Sequence, residues 1–306
     1  MPGRPPSTTA PPARLLSTAG WADYELLDIG EGRKLERFGA LTVDRPEPQA
    51  LWRRAAPGDL WAKADLRFEA QPEDEQGVWH AGDARRDGWA VRYRDIVLMC
   101  RATSFRHVGV FPEQVCHWDW IDGRVRAAGR ELRLLNLFGY TGAASLVAAA
   151  AGARVTHLDA SKKAIAWARE NQAASKLGNA PIRWICDDAM KFVEREVRRG
   201  NTYDGIILDP PMYGRGPSKE VWRLFEDLPR LLDNCAKLVS ERPAFVILTA
   251  YALRLSFRSL AELLRDMRLR PGGRIESGEL IVESRHGARL FATSLFARWS
   301  PEANVE

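Results

Sequence analysis

From Glu131 onward the chain alternates apolar strand-like runs with helix-like segments, and that alternation restricts it to one kind of architecture. The runs at 132–138 (LRLLNLF), 153–159 (ARVTHLD), 181–186 (PIRWIC), 203–209 (YDGIILD) and 243–250 (PAFVILTA) read as strands. Between and after them, 141–152, 161–178, 187–200, 219–239 and 256–267 read as helices. Strands alternating with helices of this length predict an α/β fold, a parallel sheet with right-handed crossovers. Ser161 is placed to cap the second helix and Gly178 to stop it. The third has acids at its start and bases at its end, which complements its dipole. The Ala-rich stretch 143–151 is too short to span a membrane and predicts a buried helix. Two final runs, 278–284 (GELIVES) and 289–299 (RLFATSLFARW), flank RHGA and predict an antiparallel hairpin closing the sheet.

The N-terminal part follows another rule. Between residues 35 and 103, short alternating runs at 40–44, 63–70, 89–94 and 95–103 read as strands, with turn or loop signals at 57–59 and 71–77. The expected organisation is a disordered tail over 1–22, a small β-rich domain over 23–107 and the α/β domain over 108–306. The β-rich part shows no catalytic constellation. In the tail, prolines interrupt the apolar core that a secretory signal needs.

Composition narrows the class further. With 45% hydrophobic and 28% charged residues, disordered and collagen-like chains are excluded. No run of 18 apolar residues occurs, so no membrane partner is expected. The four cysteines are scattered, with no C-x-x-C and no histidine cluster, which fits a reducing, cytoplasmic setting and no metal. Net charge is +5; residues 1–128 hold 18 basic against 19 acidic side chains, and residues 129–306 hold 27 against 21. A surplus confined to one half admits an anionic partner such as RNA, and ordinary solubilising charge explains it equally well. Monomer and homodimer both stay open.

In an open α/β sheet, ligands lie beyond the carboxyl ends of the strands. The first strand here ends in Asn136-Leu137-Phe138-Gly139-Tyr140-Thr141-Gly142, whose two glycines let backbone approach a ligand. The second ends in Asp159-Ala160-Ser161, an acid where ribose hydroxyls are commonly bound. Asp187-Asp188-Ala189 follows the third, and Asp209-Pro210-Pro211 the fourth, where two prolines make a rigid rim. Each piece has an ordinary explanation: Asp159 could cap a helix, and Asp187 and Asp188 could be first-turn acids. Four such elements at successive strand ends are far more specific than any one.

Residues 132–249 resemble class I S-adenosylmethionine-dependent methyltransferases, and within them the large-subunit ribosomal RNA methyltransferases that pair N-x-F-x-Y-T-G with a later D-P-P. Asn136, Phe138, Tyr140, Thr141, Gly142, Asp159-Ala160-Ser161, Ala168-Arg169-x-Asn171, Asp187-Asp188 and Asp209-Pro210-Pro211 carry the likeness. It implies a Rossmann-like catalytic domain with S-adenosylmethionine as cofactor. The loop over 138–142 would meet the methionine part, Asp159 the ribose and Asp187/Asp188 the adenine. Asp209–Pro211 would face the methyl group and the substrate. Phe111 and Gln114 sit where the family has a cofactor-covering segment, while nearby Trp118 and Trp120 read as packing residues.

Two chemistries occur on this scaffold with nucleic acids. Cytosine C5 methylation needs a Cys thiolate; the corresponding position after the fifth strand reads Leu248-Thr249-Ala250-Tyr251, without one. That departure favours transfer to a nitrogen, with Asp209 as acceptor and Tyr213 stacking on an extruded base, although Met212 separates Tyr213 from the prolines. The glycine-rich, basic segment 214–219 suits a phosphate-lined path and equally suits a solvated turn. The expected function is methyl transfer to RNA, with ribosomal RNA favoured. Alternatives are a protein or small-molecule substrate, or a non-catalytic RNA-binding protein on this scaffold. A dinucleotide-dependent oxidoreductase fits poorly, because its loop carries three glycines in G-x-G-x-x-G.

Overall fold

The computed structural model describes residues 12–71, 76–81, 88–251, 255–269 and 273–301. Its N-terminal part runs β1 (Arg14–Ser17), β2 (Tyr24–Gly30), β3 (Arg33–Phe38), β4 (Leu41–Pro46) and α1 (Gly58–Ala62). It continues through β5 (Leu66–Ala70), β6 (Gly77–Ala81), β7 (Trp89–Tyr93) and β8 (Ile96–Cys100). Strands β2 to β6 form one sheet in chain order, and β7 and β8 a separate antiparallel pair. Glu31 and Gly32, at φ 54° and 73°, turn β2 tightly into β3, as two-residue hairpin loops require.

The chain then makes a single 3-10 turn over Pro112–Gln114 and continues as α2 (Val115–Ala127), β9 (Arg133–Leu137), α3 (Ala143–Ala150) and β10 (Arg154–Asp159). Next come α4 (Lys162–Ala174), β11 (Ile182–Cys186), α5 (Ala189–Arg198), β12 (Gly205–Leu208) and a hairpin of β13 (Tyr213–Arg215) with β14 (Val221–Arg223). The chain closes with α6 (Leu224–Leu238), β15 (Phe245–Ala250), α7 (Phe257–Asp266), β16 (Gly273–Glu283) and β17 (Leu290–Pro301).

The main sheet has the order β1-β16-β17-β15-β12-β9-β10-β11. Strands β9, β10, β11, β12 and β15 are parallel, and β17 runs antiparallel to β15 and β16. After β11 the chain returns to the other side of β9, so the strand order reverses between β9 and β12 and opens a crevice there. Every residue of β12 and β15 is buried, as central parallel strands demand. Helices α5, α6 and α7 cover one face, and α2 with Ala-rich α3 packs on the other. No helix among the described residues is long and apolar enough to cross a membrane.

Three details depart from the sequence reading. Residues 14–17, assigned to the tail, pair as β1 in parallel with β16, because RLLS carries two apolar residues onto an open sheet edge; residues 1–11 lie outside the described residues. Helix α4 stops at Ala174, ahead of Gly178: Ser175 is its C-cap, and Lys176 takes the positive φ (58°) there. The helix expected from residue 219 starts at Leu224, because Val221–Arg223 pair with β13 and Trp222 faces inward. Residues 72–75 of the expected 71–77 loop lie outside the described residues, and the turn signal at 57–59 opens α1.

Candidate active site

A cleft of about 1110 Å³ opens at the carboxyl ends of β9, β10, β11 and β12, with the N-terminal sheet as its opposite wall. Of the residues given a cofactor or catalytic role from sequence, all but Gly142 border it, whereas Ala168, Arg169 and Asn171 of the family likeness do not. Gly142 is the N-cap of α3 at φ 87°, and a Cβ there would press on Ala168 and Trp184 at 3.0 Å. Gly139 serves packing more than ligand approach: a Cβ would come within 2.3 Å of the His157 ring. On either side of Gly139, Phe138 and Tyr140 hold positive φ of 58° and 51°. Such strain persists only where surroundings over-determine it, and a buried network does so here. Asn136 Nδ2 donates to Ser145 Oγ, which lies 2.9 Å from His157 Nδ1. Thr141 Oγ1 donates to the Gly109 carbonyl at 2.6 Å, and Asn171 Nδ2 donates to the Thr141 carbonyl at 2.9 Å.

Asp159 ends β10 and accepts from Tyr140 N (2.9 Å) through one oxygen and from Ser161 N (2.8 Å) through the other. Burial raises its pKa, and these two amides oppose the rise. Ser161 itself caps α4, accepting from Ala164 N. The two acids after β11 divide their work: Asp188 caps α5 through Lys191 N, whereas Asp187 pairs with Arg195 and accepts from Asp188 N. Ala189 opens that helix, with Ala160 beside it on the cleft wall.

Asp209, at the end of β12, accepts from Gln114 Nε2 at 3.0 Å. Burial, then the charge of Glu113, pushes its pKa up to about 7. No ion pair to Asp209 forms among the described residues. Pro210 is buried and Pro211 exposed, and the Pro211 carbonyl accepts from Trp222 Nε1 at 2.7 Å. The Trp222 ring packs on Phe138 at 5.0 Å, so one indole ties the hairpin to both the D-P-P and the strained loop. Tyr213 starts β13 at the cleft mouth and is 52% exposed. The segment 214–219 belongs to that hairpin: Glu220 accepts from Ser218 N and pairs with Lys191. Phe111 packs between His107 (4.9 Å) and Tyr140 (5.4 Å) with tilted rings. Trp118 packs with Trp21 and Tyr93, and Trp120 packs against Phe245.

Several cleft residues were not legible in the sequence. Glu113 had no motif to mark it. Lys34, Arg45, Glu47 and His107 come from a part where no constellation was expected. The usable signal was the alternation of charges in β3 and β4, which a solvated hairpin shares.

A crystal structure of the SAM-dependent methyltransferase from Agrobacterium tumefaciens is 50% identical to this chain, with a TM-score of 0.91 and 94% of each chain covered. The chain belongs to the S-adenosylmethionine-dependent methyltransferases. A family model described as conserved hypothetical protein 95 matches residues 117–248 of this methyltransferase. The methyltransferase SMU.776, solved in complex with SAH, shares the fold at 17% identity and a TM-score of 0.70, over 92% of this chain and 76% of that one. The ribosomal RNA large subunit methyltransferase K/L of Hahella chejuensis is 37% identical over 188 residues, 60% of this chain and 25% of its own. The chain spans about a quarter or less of the length of such curated relatives.

The residues of this methyltransferase fit its cofactor. S-adenosylmethionine joins an adenine and a ribose to a cationic sulfonium and an amino-acid tail. Asp159 keeps lone pairs after its two backbone amides. Phe111 and Tyr140 offer apolar ring faces. Asp209 and Glu113 are two half-buried carboxyls on the cleft wall, both held above their ordinary pKa by burial, and a cation there would favour their charged forms.

Proposed function

We propose that this methyltransferase methylates a nitrogen of an RNA base, with ribosomal RNA as the favoured substrate. The observation that carries the reading is the chemistry at the end of β12: a half-buried carboxyl and an exposed aromatic ring both border the cleft, and no cysteine does. Cytosine C5 transfer would need a thiolate to add to C6. Burial pushes the Cys100 thiol up to about 12 and the Cys235 thiol higher still. Cys186, at the end of β11, points its thiol at the Ala160 carbonyl 3.5 Å away. The names of the curated relatives support an RNA substrate.

When bound, S-adenosylmethionine supplies a methyl group on a sulfonium, with a neutral thioether as leaving group. The chain's own residues bind and orient. Asp159 holds the ribose hydroxyls, Asp187 faces the adenine amino group, and the loop over 138–142 passes the methionine end. Asp209, oriented by Gln114, accepts a hydrogen from the target nitrogen and takes the proton that nitrogen gives up. Tyr213 stacks on the extruded base, with Arg215 beside it for phosphate.

The test offers tritiated S-adenosylmethionine and the purified protein to extract from cells lacking the gene. Label released by ribonuclease supports the reading, and nucleoside mass spectrometry then names the atom. Label released by protease overturns the RNA substrate, and a C5-methylated cytosine product overturns the nitrogen.

A further inference from the structure

The N-terminal wall of the cleft holds buried polar groups that methyl transfer leaves unused. Arg45 is committed, because its guanidinium donates to both oxygens of Glu36 at 2.5 and 3.0 Å. Lys34 and Glu47 are not. Lys34 Nζ lies 3.5 Å from Glu47 Oε2 and 3.8 Å from Glu36 Oε1, charge contacts without a hydrogen bond. Glu47 is 4% exposed, and its other oxygen, Oε1, has no hydrogen-bond partner among the described residues. His107 Nδ1 is buried and unpartnered in the same way. Unpaired buried polar atoms are costly, and a cleft wall that holds two of them suits a polar ligand.

This wall reaches the transfer centre. His107 packs against Phe111, which packs against Tyr140 of the strained loop. Glu113 and Gln114 share one turn with Phe111, and Gln114 holds Asp209. At the mouth, Phe105 is 45% exposed, and Arg106 borders the cleft without an ion pair among the described residues.

We propose that this wall is the target-base subsite, and that it takes a base whose edge sets a carbonyl beside a ring N–H, as guanine and uracil do. Of the two, only guanine keeps a second N–H-bearing nitrogen for Asp209 once Glu47 holds the ring N–H. The inference rests on an RNA base being the acceptor. Lys34 donates to the carbonyl, and Glu47 Oε1 accepts from the ring N–H. Adenine and cytosine present the reverse pattern, an amino group beside a bare ring nitrogen, so both contacts turn repulsive. His107 Nδ1 bonds a further edge atom, and Arg106 meets the flanking phosphate.

The test uses four short single-stranded RNAs that differ only in one central base, bound to the protein loaded with S-adenosylhomocysteine and read by fluorescence anisotropy. The guanine or uracil strand should bind at least about tenfold tighter than the adenine and cytosine strands, and the two favoured arms tell guanine from uracil. Glu47→Gln and Lys34→Met should each erase that preference while cofactor affinity stays put. Lys34→Met, which leaves buried Glu47 without its ion pair, should also lower the melting temperature, so Glu47→Gln is the cleaner arm. A preference that survives both variants overturns the subsite, as does a wild-type preference for adenine or cytosine. If the wild type neither binds RNA nor methylates it, the RNA reading falls and the subsite with it. If only the variants fail to respond, the RNA reading stands without the subsite.

Discussion

The two walls of the cleft spend their charged side chains differently. On the sheet side, acids at strand ends grip backbone: Asp159 takes two amides and Asp188 caps a helix. On the N-terminal side, charges grip one another. Arg45 and Glu36 form a buried pair that Tyr24 joins, and Arg33 donates to Asp44 at 2.5 Å. Burial pushes the Glu36 carboxyl up, but the charges of Arg45 and Lys34 outweigh it and hold the pKa at about 2. The first arrangement shapes loops around a ligand, and the second holds a polar wall inside an apolar shell.

Four predictions would break or sharpen that contrast. The largest effect is expected at Asp209. Asp209→Ala should lower turnover about 10²–10⁴-fold, as loss of a proton acceptor does, while calorimetry finds cofactor binding largely kept. Equal turnover would remove Asp209 from the chemistry. On the other wall the harm should fall on folding. Arg45→Met strands a buried carboxylate and should cost about 3–5 kcal/mol in denaturant unfolding, most of it regained in the Glu36→Leu/Arg45→Met double variant.

Asp159→Ala should weaken cofactor binding by roughly 1.5–3 kcal/mol by calorimetry, because charged hydrogen bonds are lost. Unchanged affinity would leave Asp159 as a loop brace only. The smallest effect concerns pH. Asp209 holds its proton in the folded state up to about 7, above the value for an unfolded chain. Its contribution to stability is therefore full below the unfolded value and lost as pH rises through about 7. Cofactor-free wild type should lose on the order of 2 kcal/mol between acidic and alkaline pH that Asp209→Asn keeps, measured as melting temperature against pH.

The same contrast explains what the sequence disclosed. Parallel strands buried on both faces read as unbroken apolar runs, and Ser161 and Asp188 announce their helices within three residues, so the sheet and its strand-end acids were legible. The N-terminal wall is made by pairing across distance. Glu36, Asp44, Arg45 and Glu47 look like surface charges until register sets Lys34 opposite Arg45 and Leu35 opposite Asp44. Trp222 was read as helical because its neighbours have good helix propensity, and its bond to the Pro211 carbonyl prevails over that preference. Gln114 was marked by its place in the chain, but Glu113 was invisible, since its meaning lies in its closeness to Asp209.

The bond from Asn171 to the glycine loop belongs to a longer series. Trp167, Asn171 and Ser175 stand four residues apart, on one stripe of α4 and its C-cap, and all three engage β8. Trp167 Nε1 donates to the Met99 carbonyl, Asn171 Oδ1 accepts from Met99 N, and Ser175 Oγ both accepts from Val97 N and donates to the Val97 carbonyl. These side chains satisfy the backbone groups that a neighbouring strand would otherwise take. A two-stranded ribbon with an open edge invites another chain to add to it. Here the helix seals that edge, so the surface that fastens the ribbon to the catalytic sheet also protects it from aggregation.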